Sequence, residues 1–202
     1  MKLNNKRTIL VGLAFLSICA FWQMYDSVVP LILTKTFHMN ETFSGAIMAA
    51  DNILALFLLP FFGSLSDRSH SKIGKRMPFI LFGTGCAVIL MNILPLLDNS
   101  YAAQPSGLKT ASFVIVLGLL LVAMGTYRSP AVALMPDVTP KPLRSRANAI
   151  INLMGAVGGI LYLGVAAVLY PNSKTAGLDH VNYQPLFIVV SAIMFIAIAI
   201  LF

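Results

Sequence analysis

Charge is what this sequence has least of. Only 10% of its 202 residues are Asp, Glu, Lys or Arg, and just seven are acidic. A soluble domain carries roughly 25% charged residues, so a water-facing globular surface is excluded for most of the chain. Cysteine is nearly absent as well: Cys19 and Cys86 stand alone, each inside an apolar run. That excludes a disulfide framework and a cysteine metal cluster. The three histidines, His38, His70 and His180, lie in loops or at their edges, which leaves no intramembrane His to ligate a metal. The chain has no His-Glu-x-x-His, Gly-x-Ser-x-Gly or Gly-x-Gly-Asp motif and no phosphate loop, so the groups that hydrolytic chemistry needs are missing. It reads as no enzyme, with no metal and no cofactor. Basic residues outnumber acidic ones, 14 to 7. In a soluble protein that excess points to nucleic acid. Here the cations flank apolar runs and read as loops facing anionic lipid, with no nucleic-acid partner.

What the chain does have is hydrocarbon: 58% hydrophobic residues and a mean hydropathy of +0.85. A membrane span needs about 20 mostly apolar residues, and six segments qualify, at about 8–34, 43–65, 78–97, 111–135, 147–170 and 185–202. The fold class expected is therefore all-α membrane, six helices in one bundle covering residues 1–202. The start, with Lys2, Lys6 and Arg7 before TILVGLAFLSICA, has the look of a signal peptide. Its apolar run continues to Leu33, too long for one, and Ile18 spoils the lipoprotein box before Cys19. It reads as the first span.

Ten basic residues cluster in the amino terminus and the 66–77 and 136–146 loops: Lys2, Lys6, Arg7, Arg68, Lys72, Lys75, Arg76, Lys141, Arg144 and Arg146. The other three connections hold only Lys35, Lys109 and Lys174. The positive-inside rule puts both termini in the cytoplasm of a multi-pass plasma- or inner-membrane protein. The outer loops, DNSYAAQPSGLKT and PNSKTAGLDHVNYQP, are polar and rich in turn residues; Asn40-Glu41-Thr42 fits a glycosylation sequon. The sixth span runs from Pro185 to Phe202 with no polar tail, an ending that reads as cut.

Two of the basic loops carry motifs. Gly63-Ser-Leu-Ser-Asp67-Arg68 is followed by Gly74-Lys75-Arg76 and Pro78. This resembles the loop between helices 2 and 3 of the major facilitator superfamily, G-x-L-x-D-R then G-R-R or G-K-R. With its extra residues it is similar to the glycoside–pentoside–hexuronide cation symporters and their sucrose-transporter-like relatives. Tyr127-Arg128-Ser-Pro130-Ala-Val-Ala-Leu134-Met-Pro136-Asp137, with Arg144-Ser-Arg146-Ala-Asn148, resembles the helix 4–5 region of the same group. The resemblance implies twelve spans in two six-helix bundles, of which this chain is the amino-terminal one. It further implies a secondary transporter by alternating access, with a sugar as substrate and a missing carboxy-terminal bundle as partner. A six-span chain acting as a homodimer and an efflux-type facilitator of apolar solutes stay open beside it. In the resemblance the 63–76 loop is a cytoplasmic gate that locks the two halves in one conformation.

Elementary physics gives parts of that loop a role. Gly63 has no side chain to hold a neighbouring helix away. Asp67, at the inner end of span 2, is expected to face a helix N-terminus. Arg68, Lys75 and Arg76 can bond carbonyls, carboxylates or lipid phosphates.

Ionisable residues within spans are candidates for function. Asp26 and Asp51 each lie about eight residues from the outer ends of spans 1 and 2, roughly 12 Å deep at 1.5 Å per residue. They share one level if both face inward. Neighbouring carboxylates cannot both ionise cheaply, which suits loading and unloading a proton. Gln23 shares the face of Asp26, and Asn52 adjoins Asp51. Arg128 in span 4 reads either as a snorkelling cation paired with Asp137 or as the partner of a span carboxylate or sugar hydroxyl. Sodium-coupled melibiose-type carriers place an Asp two residues before this Pro and more Asp on span 2. Here Arg128, Ala55 and Leu59 stand there, so the resemblance favours a proton over sodium as coupling ion. On span 5, Asn148, Asn152, Gly155 and Gly159 share one face and read as a packing seam ahead of a sugar site. Trp22, Tyr25, Tyr127 and Tyr162 are available to stack on a sugar.

Overall fold

A computed structural model of the chain describes residues 4–175, 177, 178 and 180–202. Lys2 and the side chain of Lys174 lie outside the described residues. Six helices are long and apolar enough to cross a membrane. α1 spans Asn5–Leu31 and continues as a π-helical turn, Ile32–Thr36. α2 is Glu41–Arg68, α3 Met77–Ala103 and α4 Gly107–Val138. A 3₁₀ turn, Lys141–Leu143, leads into α5, Arg144–Leu169. A single turn, α6 (Asn172–Thr175), precedes α7, Gln184–Leu201.

Local chemistry starts these helices. Asn4 accepts from the Arg7 amide at 3.2 Å and caps α1. Asn40 accepts from the Thr42 amide at 3.1 Å and caps α2, with Glu41 in the positive first turn. The sequon asparagine is thus used as a helix cap. Pro78 and Pro185 sit in the first turns of α3 and α7, where a missing N–H costs nothing.

The helices outrun the hydrophobic segments. The third apolar run stops near residue 97, yet α3 continues to Ala103. Hydropathy reports the width of the hydrocarbon, whereas backbone hydrogen bonding continues into the polar headgroup layer. This extension puts Asp98 inside the helix.

α1 is the central helix. It packs most extensively on α5, then on α7 and α4, while α3 lies against α4 and α7 and α2 rests on α4. Phe21, Met24 and Tyr25 of α1 are almost wholly buried. The α1–α5 seam is backbone against backbone: a Cβ on Gly158 would collide with the Leu16 carbonyl, and one on Gly155 would lie 2.9 Å from Cys19 Sγ. With no hydrophobic drive between helices in lipid, such close approach supplies the packing.

That seam corrects the expected face of α5. Ile151, Gly155, Gly158 and Tyr162 are buried, whereas Asn148 and Asn152 are exposed. Gly155 belongs to the seam; the asparagines lie to one side of it. α2 is the most open helix. Only Ser44 and Ser66 are buried, and Leu56, Phe57 and Phe61 are exposed at 71%, 66% and 57%.

Candidate functional site

Two polar centres occupy the bundle, one at the end with the basic loops and one inside. At the basic end, Arg76 is 6% exposed and bridges two helices. Its Nε donates to Asp137 Oδ2 at 2.5 Å, one terminal nitrogen to Asp67 Oδ1 at 2.8 Å, and the other to Ser66 Oγ at 3.0 Å. Lys75 Nζ lies 3.5 Å from Asp67 and 3.4 Å from Asp137. The fork of the guanidinium suits this bridging, since its donors diverge in one plane. Gly74 makes the turn with φ +101°, a conformation that L side chains rarely adopt.

Asp67 pairs with Arg76 and Lys75, and Arg76 is the residue at the N-cap of α3. The reason is reach: the 69–76 turn folds both cations back over the ends of α2 and α4. Arg68 and Arg146 are exposed at the same end. Arg144 turns back to the end of α4, donating to the Pro136 carbonyl at 2.9 Å and the Thr139 carbonyl at 3.4 Å. Gly63 has the expected close neighbour. A Cβ there would lie 3.0 Å from Ser129 Oγ, and Ser129 donates to the Leu59 carbonyl at 2.6 Å. Ser129, just before the buried Pro130, thus ties α4 to α2. Sequence reasoning passed over Ser129 and Ser66, although each adjoins a motif residue.

The inner centre lies between α1, α2 and α4. Trp22, Asp51, Leu54, Ala55, Leu58, Leu59, Leu121, Gly125 and Arg128 line a cavity of about 20 Å³, room for about one water. The Arg128 guanidinium carbon lies 5.3 Å from the Trp22 ring centroid, a cation–π contact. Asp51 Oδ1 and Trp22 Nε1 are buried without hydrogen-bond partners. Arg128 thus faces Trp22 and the Asp51 cavity, and the pairing with Asp137 does not occur; Asp137 is held by Arg76 and Lys75 instead.

Asp26 and Asp51 are near enough for their charges to act on each other, with Tyr25 beside both. Gln23, Asp26 and Asn52 are exposed, on helices otherwise clad in hydrocarbon. With Asn152 they make polar groups on the bare surface of apolar helices, which lipid does not tolerate unless other protein or water covers them; Asn148, also exposed, lies one turn from Arg144 at the basic end. Ala55 and Leu59 stand in the cavity wall with Asp51. No group of three or more His, Cys, Asp or Glu able to hold a metal occurs among the described residues.

Of the aromatics, Tyr127 is a packing residue. Its hydroxyl donates to the Ala14 carbonyl at 3.0 Å and lies 2.6 Å from Ser17 Oγ. Tyr25 and Tyr162 are buried; only Trp22 faces the cavity.

The bundle thus carries a turn closed by Gly74 and Arg76 over Asp67 and Asp137, and a charged cavity between α1, α2 and α4. The sequence profile of the Major Facilitator Superfamily matches residues 11–202. The chain belongs to the Major Facilitator Superfamily. It is similar to a sucrose transport protein of Arabidopsis thaliana, 35% identical over 66% of this chain and 24% of that protein. A sucrose transport protein of Oryza sativa subsp. indica is 33% identical over 63% of this chain and 28% of its own length. The alpha-ketoglutarate permease of Escherichia coli (strain K12) is 26% identical over 87% and 38%. The chain thus spans well under half the length of the curated relatives it matches. No solved structure gives a significant match. As a Major Facilitator member with six long apolar helices, the chain is a multi-pass membrane protein of a transporter family.

Proposed function

We propose that this chain is the amino-terminal bundle of a proton-coupled sugar carrier working by alternating access. The observation that carries the reading is Asp51. Its carboxylate has an oxygen without a donor in a cavity that holds about one water and faces Arg128 across it. A carboxylate oxygen left without a donor, beside a guanidinium inside the bundle, is a candidate coupling group. Sucrose transport proteins among the relatives support a sugar substrate. The Asp51 cavity, at about 20 Å³, is by itself far too small for a sugar. The exposed Gln23, Asp26, Asn52, Asn148 and Asn152 would then line the other half of the site, covered by a second bundle or a second copy. The ten basic residues at one end would face the cytoplasm. There the Arg76–Asp67–Asp137 network would be the gate that engages the other half.

The test is uptake of a labelled disaccharide into vesicles carrying the full-length protein, driven by an imposed pH gradient. Asp51→Asn should abolish accumulation while leaving exchange at equal pH; accumulation at the parental level overturns the assignment. A second reading, an organic anion as substrate, is favoured by Arg128, whose fork matches a carboxylate. Competition by a dicarboxylate and not by a disaccharide would select it.

A further inference from the structure

At the end opposite the basic loops, three segments remote in sequence meet around one imidazole. Asp98, near the end of α3, is 0% exposed, and neither carboxylate oxygen has a hydrogen-bond partner. His180, from the connection that leads to α7, brings Nε2 to 4.0 Å from Asp98 Oδ2. The same nitrogen is 2.9 Å from Asn99 Oδ1. Asn99 spends its amide hydrogen on Asn182 Oδ1, also at 2.9 Å. An amide oxygen only accepts, so Nε2 carries a hydrogen. Nδ1 lies 3.2 Å from Thr36 Oγ1, in the turn that ends α1. A hydroxyl can donate to a bare nitrogen or accept from a protonated one. The site therefore holds the ring in either charge state without rearrangement.

The carboxylate is less tolerant. Ionised and buried, with at most the Thr36 hydroxyl to donate to it, it needs a cation or must be neutralised. An imidazolium 4.0 Å away meets that need; a proton on Asp98 meets it equally. With neither, the docked arrangement keeps an uncompensated charge, and undocking the connection would let water reach it. The docked form therefore holds one proton that the undocked form can lose.

We propose that Asp98 and His180 form a proton-binding clasp that fastens the connection between α5 and α7 onto the ends of α1 and α3, closed while the pair holds its proton and open once it is lost. A cleft of about 480 Å³, lined by Thr34, Lys35, His38, Tyr101 and His180 among others, brings water to the ring.

Among the described residues, the other titratable groups around the clasp do not supply the proton. Lys35 and His38 stand on the cleft wall, away from the buried carboxylate oxygens. Lys109 of α4 spends its ammonium on the carbonyls of Ser100 and Gln104, at 2.8 and 2.9 Å. Tyr170 donates to the Asn182 carbonyl at 2.7 Å. Burial raises the Tyr170 phenol, and burial with the nearby Asp98 charge raises that of Tyr183, so neither ionises near neutral pH. Asp179, beside His180 in sequence, lies outside the described residues.

The sign follows from the proton count. The closed clasp binds one more proton than the open one, so closure is favoured as pH falls and lost as pH rises, by up to about tenfold per pH unit. The clasp is independent of what the protein carries.

Hydrogen exchange of peptides covering 171–183 tests it, in the intact chain in lipid nanodiscs, with rates divided by those of an unstructured peptide of the same sequence. Protection should fall as pH rises within about pH 5–9. In Asp98→Asn and in His180→Gln it should lose that dependence, while α5 peptides stay unchanged. A pH-independent parent, or a parental pH profile in a folded variant, overturns the clasp. If neither variant folds, the His180 ring is followed by carbon-13 labelling in the parent. Its titration must then coincide with the loss of protection; a ring that titrates with protection constant overturns the clasp.

Discussion

The guanidinium of Arg128 stands 5.3 Å from the centre of the Trp22 ring, and the two residues come from different helices, α4 and α1. Trp22 is the chain's one tryptophan, so its emission reports directly on this cavity. Replacing Arg128 with Leu removes a charge from the ring face, and the emission should shift. Lysine at 128 should preserve part of the effect, since cation–π attraction survives as a point charge. Fluorescence of the purified variants decides: identical spectra for parent and Arg128→Leu would show that the contact does not persist.

Arg76 is the structural cation of the basic end, and Lys75 is its exposed companion. Arg76→Ala removes the fork that joins Asp67 to Asp137 and leaves the two carboxylates only the exposed Lys75. Because both carboxylates are partly exposed, 55% and 32%, water recovers much of the loss, and the cost should be about 1–3 kcal/mol. Lys75→Ala should cost under about 1 kcal/mol. Thermal unfolding in detergent should rank them in that order. Equal shifts would mean that the buried fork is not the element holding α2 to α4.

The glycines of α5 should differ sharply. Gly158→Ala drives a methyl into the Leu16 backbone, and the helices must part, at about 1–3 kcal/mol or more. Gly155→Ala meets the side chain of Cys19, which can turn away, so the cost is smaller. Gly164 has nothing within 4 Å of a would-be Cβ. Alanine there should be neutral or stabilising by up to about 1 kcal/mol from helix propensity. Melting temperatures of the three variants check the order.

Tyr127→Phe separates packing from transport. It leaves the ring in place and removes the hydroxyl between Ser17 and Ala14. We expect a loss of about 1–2 kcal/mol in stability with transport selectivity unchanged, because the hydroxyl faces the α1–α4 interface and not the cavity. Altered selectivity in uptake competition would reassign Tyr127 to the substrate site.

Asp51 and Arg128 were legible as intramembrane charges because so few occur. What the residues did not reveal was the partner of each. Arg128 had two sequence candidates, Asp137 and a span carboxylate, and Trp22 carried no special signal among the aromatics. On α5 the motif face was misplaced, because each residue turns a helix by about 100°. A neighbouring set of positions, 151, 155, 158 and 162, satisfies nearly the same spacing as 148, 152, 155 and 159. Asp98 was hidden for a different reason. It follows the last apolar residues of its run, where hydropathy reads a loop and the backbone stays helical.

Apolar run lengths and the count of basic residues suffice to give a membrane chain of six helices with its positive charge gathered in three connections. The sequence also carried two motifs that resemble those of the Major Facilitator Superfamily. These are local properties: apolar length, capping residues and charge count act within a single segment. Helix packing is what lets Arg76 bridge Asp67 and Asp137, ties Ser129 of α4 to the Leu59 carbonyl, and brings His180 within 4.0 Å of Asp98. Each joins side chains whose meeting depends on the rotation and depth of packed helices, which small glycine-mediated contacts set and no single segment encodes.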